Sequence, residues 1–168
     1  MFLFFTIINL VFLTLFLILR SLDQLPSPPP FFTSPSPPKT NIIKDCSTTD
    51  DILAIEYITL NPDPPIRGHV LNIKAAGNLN ETIDQGSYVD VLVRLGLVQL
   101  YKGKLDFCKE IEQNFKLKCP LKKGMHKVDS DVNVPKEIPM GKYTVDAQAY
   151  TKNGRRIACL KAETVFKP

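Results

Sequence analysis

Hydrophobic and polar residues alternate along most of the chain after residue 50, which is the pattern of strands with one buried face. In the run Gly141–Lys152, for example, Tyr143, Val145, Ala147 and Ala149 fall on one side of the predicted strand. The predicted strands are Asp51–Leu60, Gly68–Ala76, a short one around Thr82–Ile83, Ser87–Tyr101, Met125–Val134, Gly141–Lys152 and Arg156–Phe166.

Turn signals separate these runs. Asn61-Pro-Asp-Pro-Pro65 ends the first run, and Asn153-Gly154 is a strong hairpin signal before the last. Ser87–Tyr101 is the longest predicted strand, and Gly96 is expected to form a bulge within it at which the faces exchange. Only Phe107–Phe115 is compatible with a short helix. Six or seven short strands predict an all-β antiparallel sandwich, with a barrel as the alternative.

The first 19 residues form an almost continuous apolar run, and the first charged residue is Arg20. Such a run at an N-terminus is typical of a secretory signal or a membrane anchor. Its length is compatible with either, because about 20 apolar residues span a bilayer. Residues 1–20 are therefore predicted to be a signal peptide or a signal anchor. Both direct the remaining chain to an exported, oxidising compartment.

Seven of the fourteen prolines fall within residues 21–40. Proline lacks a backbone N–H and restricts φ, so this stretch cannot form a helix or a sheet ladder. Residues 21–43 are predicted to be an extended spacer or pro-segment. Residues 44–168 then have the size of one domain.

The composition narrows the classes of function. A formal net charge of +4 gives no case for a nucleic-acid partner. The chain contains no P-loop, G-x-S-x-G or H-E-x-x-H motif, and its two histidines, His69 and His126, follow no ligand or triad spacing. We interpret both histidines as surface residues. No enzymatic activity, no metal site and no cofactor are expected.

Four cysteines are present, and four cysteines allow three pairings. No C-x-x-C redox motif and no zinc-type spacing accompany them, so two structural disulfides are predicted for an exported domain. The natural pairing combines a local bond with a global one. Cys108–Cys119 closes a short loop, and Cys46–Cys159 ties the first strand region to the last.

Two surface features concern modification and docking. Asn80-Glu-Thr82 is an N-glycosylation sequon in a predicted loop, with Asn80 as the acceptor. Eight lysines and three acidic residues lie between Lys102 and Lys127. This segment is interpreted either as a solvated loop or as a docking face for anionic lipid headgroups or an acidic partner. The lysines assigned to membrane contact are Lys116, Lys118, Lys122 and Lys123.

A set of motifs in chain order resembles a known family. The motifs are Pro65-Ile-Arg-Gly68, a Gly86-led strand of Val and Leu, Asp106-Phe-Cys108, Lys118-Cys-Pro-Leu-Lys-Lys-Gly124, Val134-Pro-x-x-Ile-Pro139, Gly141-Lys-Tyr-Thr-Val145 and a last strand bearing Cys159. They resemble the MD-2-related lipid-recognition (ML) family, in particular its fungal phosphatidylglycerol/phosphatidylinositol transfer proteins and Niemann–Pick type C2-like carriers. The resemblance covers about Lys44–Phe166. Many relatives carry a third, short-loop disulfide where this chain has Asn61-Pro-Asp-Pro-Pro65, and the prolines are expected to stiffen that turn.

The resemblance implies an immunoglobulin-like sandwich of about seven strands, with a lipid cavity between the sheets and the same two disulfides. Such a pocket needs inward aliphatic side chains and a mouth that can open. The expected walls are Leu71, Ile73, Val91, Val93, Val145, Ala147 and Ala149. By resemblance, the mouth is expected at Leu100, Tyr101, Val134 and Ile138.

The resemblance also implies the function. We expect a monomeric extracytosolic carrier that binds a sterol or a phospholipid, contacts membrane surfaces transiently and takes part in intracellular sterol transport. The expected location is the lumen of the vacuole or lysosome or the outside of the cell, with a membrane-anchored form as a variant. The alternative function is a lipid-sensing or adhesion sandwich that binds a protein partner.

Overall fold

A computed structural model describes residues 40–167 and shows eight strands and one helix in this range. The predictions for residues 1–39, which include the signal or anchor and most of the spacer, lie outside the described residues. The elements are β1 (Ile43–Asp45), β2 (Leu53–Asn61), β3 (Val70–Leu79), β4 (Tyr88–Leu95), β5 (Val98–Asp106), α1 (Phe107–Phe115), β6 (Gly124–Asn133), β7 (Gly141–Tyr150) and β8 (Arg156–Phe166).

The strands form two antiparallel sheets. One has the order β1-β8-β7-β4-β5 and the other the order β2-β3-β6. The two sheets pack face to face, which is the arrangement of a β-sandwich rather than a barrel. The predicted all-β sandwich is therefore confirmed, with eight strands instead of about seven.

The prediction of one long strand over Ser87–Tyr101 is wrong. The chain reverses at Gly96 and Leu97, so that Leu95 pairs with Val98 and β4 and β5 form a hairpin. Gly96 has a φ of 56°, which glycine adopts at low cost. The alternation of apolar and polar residues continues on both sides of this turn, so the two-residue period of a strand could not by itself show the reversal. Gly96 therefore belongs to a turn and not to a bulge.

The most deeply buried side chains lie around the end of the sandwich that carries α1. Ile52, Ile83 and Ile157 are fully buried there, and Ile111 of the helix packs against the same cluster. Asp106 caps the start of the helix, because its carboxylate accepts a hydrogen bond of 3.0 Å from the Lys109 N–H. The apolar core thus holds the helix across one end of the two sheets.

Both predicted disulfides are confirmed. Cys46–Cys159 joins the segment after β1 to β8, and Cys108–Cys119 joins the first turn of α1 to the segment before β6. The local bond fixes the excursion that contains the helix, and the global bond ties the two ends of the described domain together.

Among residues 40–167, no helix has the length and the apolar character needed to cross a bilayer.

Candidate functional site

A cavity of about 330 Å³ lies between the two sheets, under α1. This volume is at the lower end of the range that small-molecule sites occupy, roughly 300–1,000 Å³. The wall from the larger sheet consists of Val89, Ala147, Ala149, Ile157, Ala158 and Leu160. The wall from the smaller sheet consists of Leu53, Ile55, Ile58, Ala75, Ala76, Gly77, Leu79, His126 and Val128.

The helix and the segment after it close one end of the cavity. Phe107, Ile111 and Phe115 all line it, and they recur at a spacing of four residues along one face of α1. Leu117 and Leu121 continue this apolar surface towards β6. Because Cys108 is bonded to Cys119, the helix and the segment that follows it are held in one position.

Small side chains leave the space open. Ala149 pairs with Ala158 across β7 and β8, and Ala147 pairs with Leu160 in the same ladder. In the facing sheet, Gly77 permits a close approach, since a Cβ added there would lie 2.8 Å from Leu53 Cδ1. Larger residues at these positions would fill the gap between the sheets. The small alanines therefore help to leave the hollow open, whereas Gly77 makes room for the Leu53 side chain of the neighbouring strand.

Two titratable side chains, Glu110 and His126, are among the lining residues. The Glu110 carboxylate accepts a hydrogen bond of 3.2 Å from the Asn114 side-chain amide. His126 Nε2 lies 2.7 Å from the Lys122 carbonyl oxygen, and because a carbonyl only accepts, Nε2 donates. A largely apolar cavity with a few polar groups at its edge can hold an apolar chain or ring system and orient a polar end.

Comparison with known proteins decides the family. A model of the ML domain matches residues 40–166. The chain belongs to the ML-domain family. The matched range includes every strand and the helix described above.

Sequence relatives of this ML domain include fungal proteins. A phosphatidylglycerol/phosphatidylinositol transfer protein of Neurospora crassa is 44% identical over 117 residues, which is 70% of this chain and 66% of the relative. The chain thus matches slightly less than two thirds of the length of that protein. The transfer activity in its name is a property of the relative.

Two solved structures share the fold of this ML domain. A Niemann-Pick type C2 protein from Japanese carpenter ant has a TM-score of 0.56 at 18% identity, covering 75% of this chain and 99% of the ant protein. Chicken MD-1 complexed with lipid IVa has a TM-score of 0.52 at 22% identity, covering 74% of this chain and 87% of MD-1. At these identities the likeness concerns the fold alone.

The predicted wall residues lie on strands of the ML domain that border the cavity. Ala147 and Ala149 line the cavity itself. The others are partly buried and do not line it, although each shares a strand and an alternation phase with a residue that does. These others are Leu71 and Ile73 on β3, Val91 and Val93 on β4, and Val145 on β7.

The predicted mouth residues do not line the inter-sheet cavity either. Leu100 and Tyr101 lie on β5, which is an edge strand, and both are exposed. Val134 and Ile138 lie between β6 and β7 and are partly buried. The structure brings none of these four residues together with Ala147 and Ala149 in one pocket.

Several lining residues were not predicted. Those of β2 lie in a predicted strand, but nothing in the strand pattern showed which of its faces borders the hollow. The helix residues could have been found, because Phe107, Ile111 and Phe115 follow a helical period. His126, which we interpreted as a surface residue, is partly buried and lines the cavity.

The remaining predicted features lie outside the cavity. Asn80 follows β3, and its side chain is exposed. The four lysines assigned to membrane contact are exposed, and Lys118 forms an ion pair of 3.4 Å with Glu112. Within residues 40–167, no group of three His, Cys, Asp or Glu side chains is arranged to hold a metal ion.

Proposed function

We propose that this ML domain is an extracytosolic lipid carrier that binds a sterol or a phospholipid of the phosphatidylglycerol or phosphatidylinositol class between its sheets. The observation that carries the proposal is the apolar cavity under α1. The names of the fungal relatives and the lipid in the MD-1 complex support it. Intracellular sterol transport is part of the same proposal.

The mechanism is desolvation. An acyl chain or a ring system leaves water or a membrane and enters a hollow lined by aliphatic and aromatic side chains. Transfer of apolar surface out of water contributes about 25 cal/mol per Å² to the free energy of binding. Because the hollow is already open, the ligand does not have to displace packed side chains. This process needs no reactive group, so we propose no catalytic role for the chain.

Lipid extraction and native mass spectrometry of the purified chain test the proposal. We expect sterol or phospholipid to co-purify at one molecule per chain, and we expect a variant with a filled cavity to lose it. Extraction also decides between the two cargo classes. A chain that is purified empty and takes up neither fluorescent sterol nor fluorescent phospholipid would argue against a carrier.

An alternative is a lipid-sensing or adhesion module that binds a protein partner. The exposed tip of the β4–β5 hairpin favours it, because Leu97 is fully exposed and Val98 is 63% exposed. Exposed apolar residues grouped at a loop mark interaction surfaces. If the tip binds a protein, Leu97→Ser should abolish capture of that partner while the bound lipid stays unchanged.

We propose that residues 1–20 act as a signal peptide or anchor and residues 21–43 as a spacer, so that residues 44–168 are delivered to an oxidising compartment. The two disulfides support this, because such bonds persist in exported proteins. The vacuole or lysosome lumen and the cell exterior are the proposed destinations, with an anchored form as a variant. N-terminal sequencing of the exported protein tests whether the first segment is removed.

We also propose that Asn80 carries an N-linked glycan. Its side chain is exposed. Its backbone N–H donates a hydrogen bond of 2.8 Å to the Ile52 carbonyl, which holds the main chain of this glycosylation site in place. A glycan here would extend into solvent. The test is digestion of the exported protein with an N-glycosidase, with Asn80→Gln as the control that should show no shift in mobility.

The proposed carrier acts as a monomer and contacts membranes transiently. The candidate contact is the lysine loop, defined as Lys116, Lys118, Lys122 and Lys123, which borders the helical end of the cavity. Exposed lysines attract anionic headgroups, each by about 1 kcal/mol near a charged bilayer. Lipid transfer beside this loop would let the cargo leave close to the surface that attracts the protein.

A further inference from the structure

Three segments enclose a depression of about 560 Å³ at the end of the sandwich away from α1. They are the loop between β2 and β3, the loop between β6 and β7, and the end of β8. Three of the lining residues are cations, namely Arg67, Lys136 and Lys167. The remaining lining residues are apolar. A depression with three cations and an apolar wall suits an anionic amphiphile.

Arg67 is held in place by main-chain acceptors. Its Nη1 donates to the Ile138 carbonyl at 3.0 Å, and its Nη2 donates to the Lys167 carbonyl at 3.1 Å. A guanidinium has five N–H donors, so three remain for another acceptor. Both partners are carbonyl groups, and the bonds therefore fix the side chain without neutralising its charge.

The two loops that carry Arg67 and Lys136 are joined by backbone hydrogen bonds. The Gly68 N–H donates to the Val134 carbonyl at 2.8 Å, and the Val134 N–H donates to the His69 carbonyl at 3.0 Å. Gly68 has a φ of 73°, and a Cβ there would lie 3.4 Å from Lys136 Cβ. The first carbons of the Lys136 side chain thus lie against Gly68, and Lys136 and Arg67 line the same depression.

The positive charge of this depression is not compensated by ion pairs among residues 40–167. None of the salt bridges in that range includes Arg67, Lys136 or Lys167. Asp63 and Glu137 belong to the same two loops, but neither pairs with these cations. Cations without an ion-pair partner in that range, one of them held in place by hydrogen bonds, line a concave surface and favour the binding of an anion.

We propose that this depression binds the phosphate of an anionic phospholipid headgroup at a bilayer surface and so orients this end of the sandwich towards the membrane. Its apolar rim supports a bilayer as the source of the phosphate, because Ile66 is 48% and Val165 is 47% exposed beside the cations. Such side chains gain by entering the interface between headgroups and acyl chains. The inference rests on the proposed carrier role, which brings the protein to membranes.

The site is separate from the lysine loop. β3 runs from Val70, which lies next to the depression, to Leu79. Leu79 pairs with Gly124, which directly follows the lysine loop. Ten residues of a strand span about 30 Å. One bilayer contact at an end of the sandwich therefore engages the depression or the lysine loop, and charge reversal at each location separates the two.

The experiment measures binding of the full chain to vesicles by co-sedimentation. The probes are vesicles of phosphatidylcholine alone and of phosphatidylcholine with phosphatidylglycerol. The test variant is Lys136→Glu/Lys167→Glu, which keeps Arg67 and its two carbonyl partners. The matched control is Lys109→Glu/Lys152→Glu, whose side chains are exposed and lie away from the depression. Each variant lowers the formal net charge from +4 by four, to zero, so only the location differs.

We expect the wild-type chain to bind the anionic vesicles and not the neutral ones. The affinity of the test variant for the anionic vesicles should fall by roughly 25-fold or more, because each lysine contributes a factor of about five. The affinity of the control variant should fall much less. Equal losses in both variants, or a loss confined to Lys122→Glu/Lys123→Glu, would overturn the inference. The inference would also be overturned if inorganic phosphate bound the chain as strongly as the anionic vesicles do and displaced it from them. The ligand would then be a free anion. Co-purified lipid, measured separately in the same preparations, shows whether the carrier role itself holds.

Discussion

Arg156 Nε donates a hydrogen bond of 2.8 Å to the carboxylate of Asp51, whose side chain is only 4% exposed. The Thr48 N–H donates to the same carboxylate at 2.8 Å. Asp51 directly precedes the core residue Ile52, and Arg156 directly precedes the core residue Ile157. This pair therefore fixes the approach to β2 against the start of β8, beside the helical end of the cavity.

The first prediction concerns acid stability. The hydrogen bond from Arg156 is the largest cause that lowers the pKa of Asp51; burial opposes it, and the Thr48 N–H adds to the lowering. Because the folded-state pKa lies below the ordinary aspartate value, Asp51 stabilises the fold above that value, and the contribution is lost as the pH falls below about 4. Asp51→Asn should unfold more easily at neutral pH, and its free energy of unfolding should depend less on pH in the acid range.

Urea unfolding at several pH values measures this dependence. Some acid dependence should persist in Asp51→Asn, since hydrogen bonds from Asn72 and Lys74 lower the pKa of the exposed Asp129. Asp129→Asn is therefore the comparison variant. An acid slope as steep in Asp51→Asn as in the wild type would contradict the assigned role.

The second prediction ranks the two disulfides. Cys46 and Cys159 are 113 positions apart, whereas Cys108 and Cys119 are 11 apart. In the chain-entropy model, loss of the first bond costs about 5 kcal/mol and loss of the second about 3 kcal/mol. Paired Cys→Ser variants, compared by urea unfolding, should follow this order. The model fails for this domain if the local bond proves the costlier of the two.

The third prediction concerns the hollow between the sheets. Ala147→Leu adds three carbons to the cavity wall, so bound lipid should fall by at least about tenfold, because a few carbons in an apolar pocket are worth 1–3 kcal/mol or more. The free energy of unfolding should change by less than about 1 kcal/mol, since the added atoms enter empty space. Ala54→Leu is the matched control, because Ala54 is exposed on the other face of β2. Unchanged lipid binding in Ala147→Leu would place the ligand elsewhere.

The fourth prediction concerns the start of α1, which carries part of the lining. Asp106→Ala removes the carboxylate that accepts from the Lys109 N–H and should lower the free energy of unfolding by about 1 kcal/mol. Asp106→Asn should cost little, because asparagine caps a helix about as well as aspartate. The measurement is again urea unfolding, combined with the dissociation rate of bound lipid. An Asn variant as unstable as the Ala variant would show that charge, and not the cap bond, is what matters.

The fifth prediction tests the lysine loop in transfer. Replacing Lys116, Lys118, Lys122 and Lys123 by Glu should slow lipid transfer between anionic vesicles, because the variant is repelled by their surface. Replacing Lys44, Lys109, Lys127 and Lys152 by Glu makes the same change in net charge at other exposed positions. Transfer rates are measured by fluorescence dequenching. If both variants slow transfer equally, only the net charge acts; if neither does, the loop is not a contact.

The sequence predicted the strands well because each has one buried face, and a buried face imposes a period of two on its residues. Gly141–Tyr150 shows this clearly: its alternating residues were identified, and Ala147 and Ala149 line the cavity. The turn at Gly96 and Leu97 was not found, because a two-residue reversal leaves the alternation on both sides intact. The cavity residues of β2 were missed for a related reason, since periodicity shows which face is buried but not what faces it. Those of α1 follow a helical period and could have been found.

The all-β class, the presence of two disulfides and the family to which the motifs point follow from the sequence, because these depend on residue types and their spacing along the chain. The folded structure alone shows which apolar residues surround a hollow and which pack together, because a cavity depends on the side chains that meet across two sheets. It also decided that Arg67, Lys136 and Lys167 meet at one end of the sandwich. They are up to 100 positions apart, and two loops and the end of β8 bring them together.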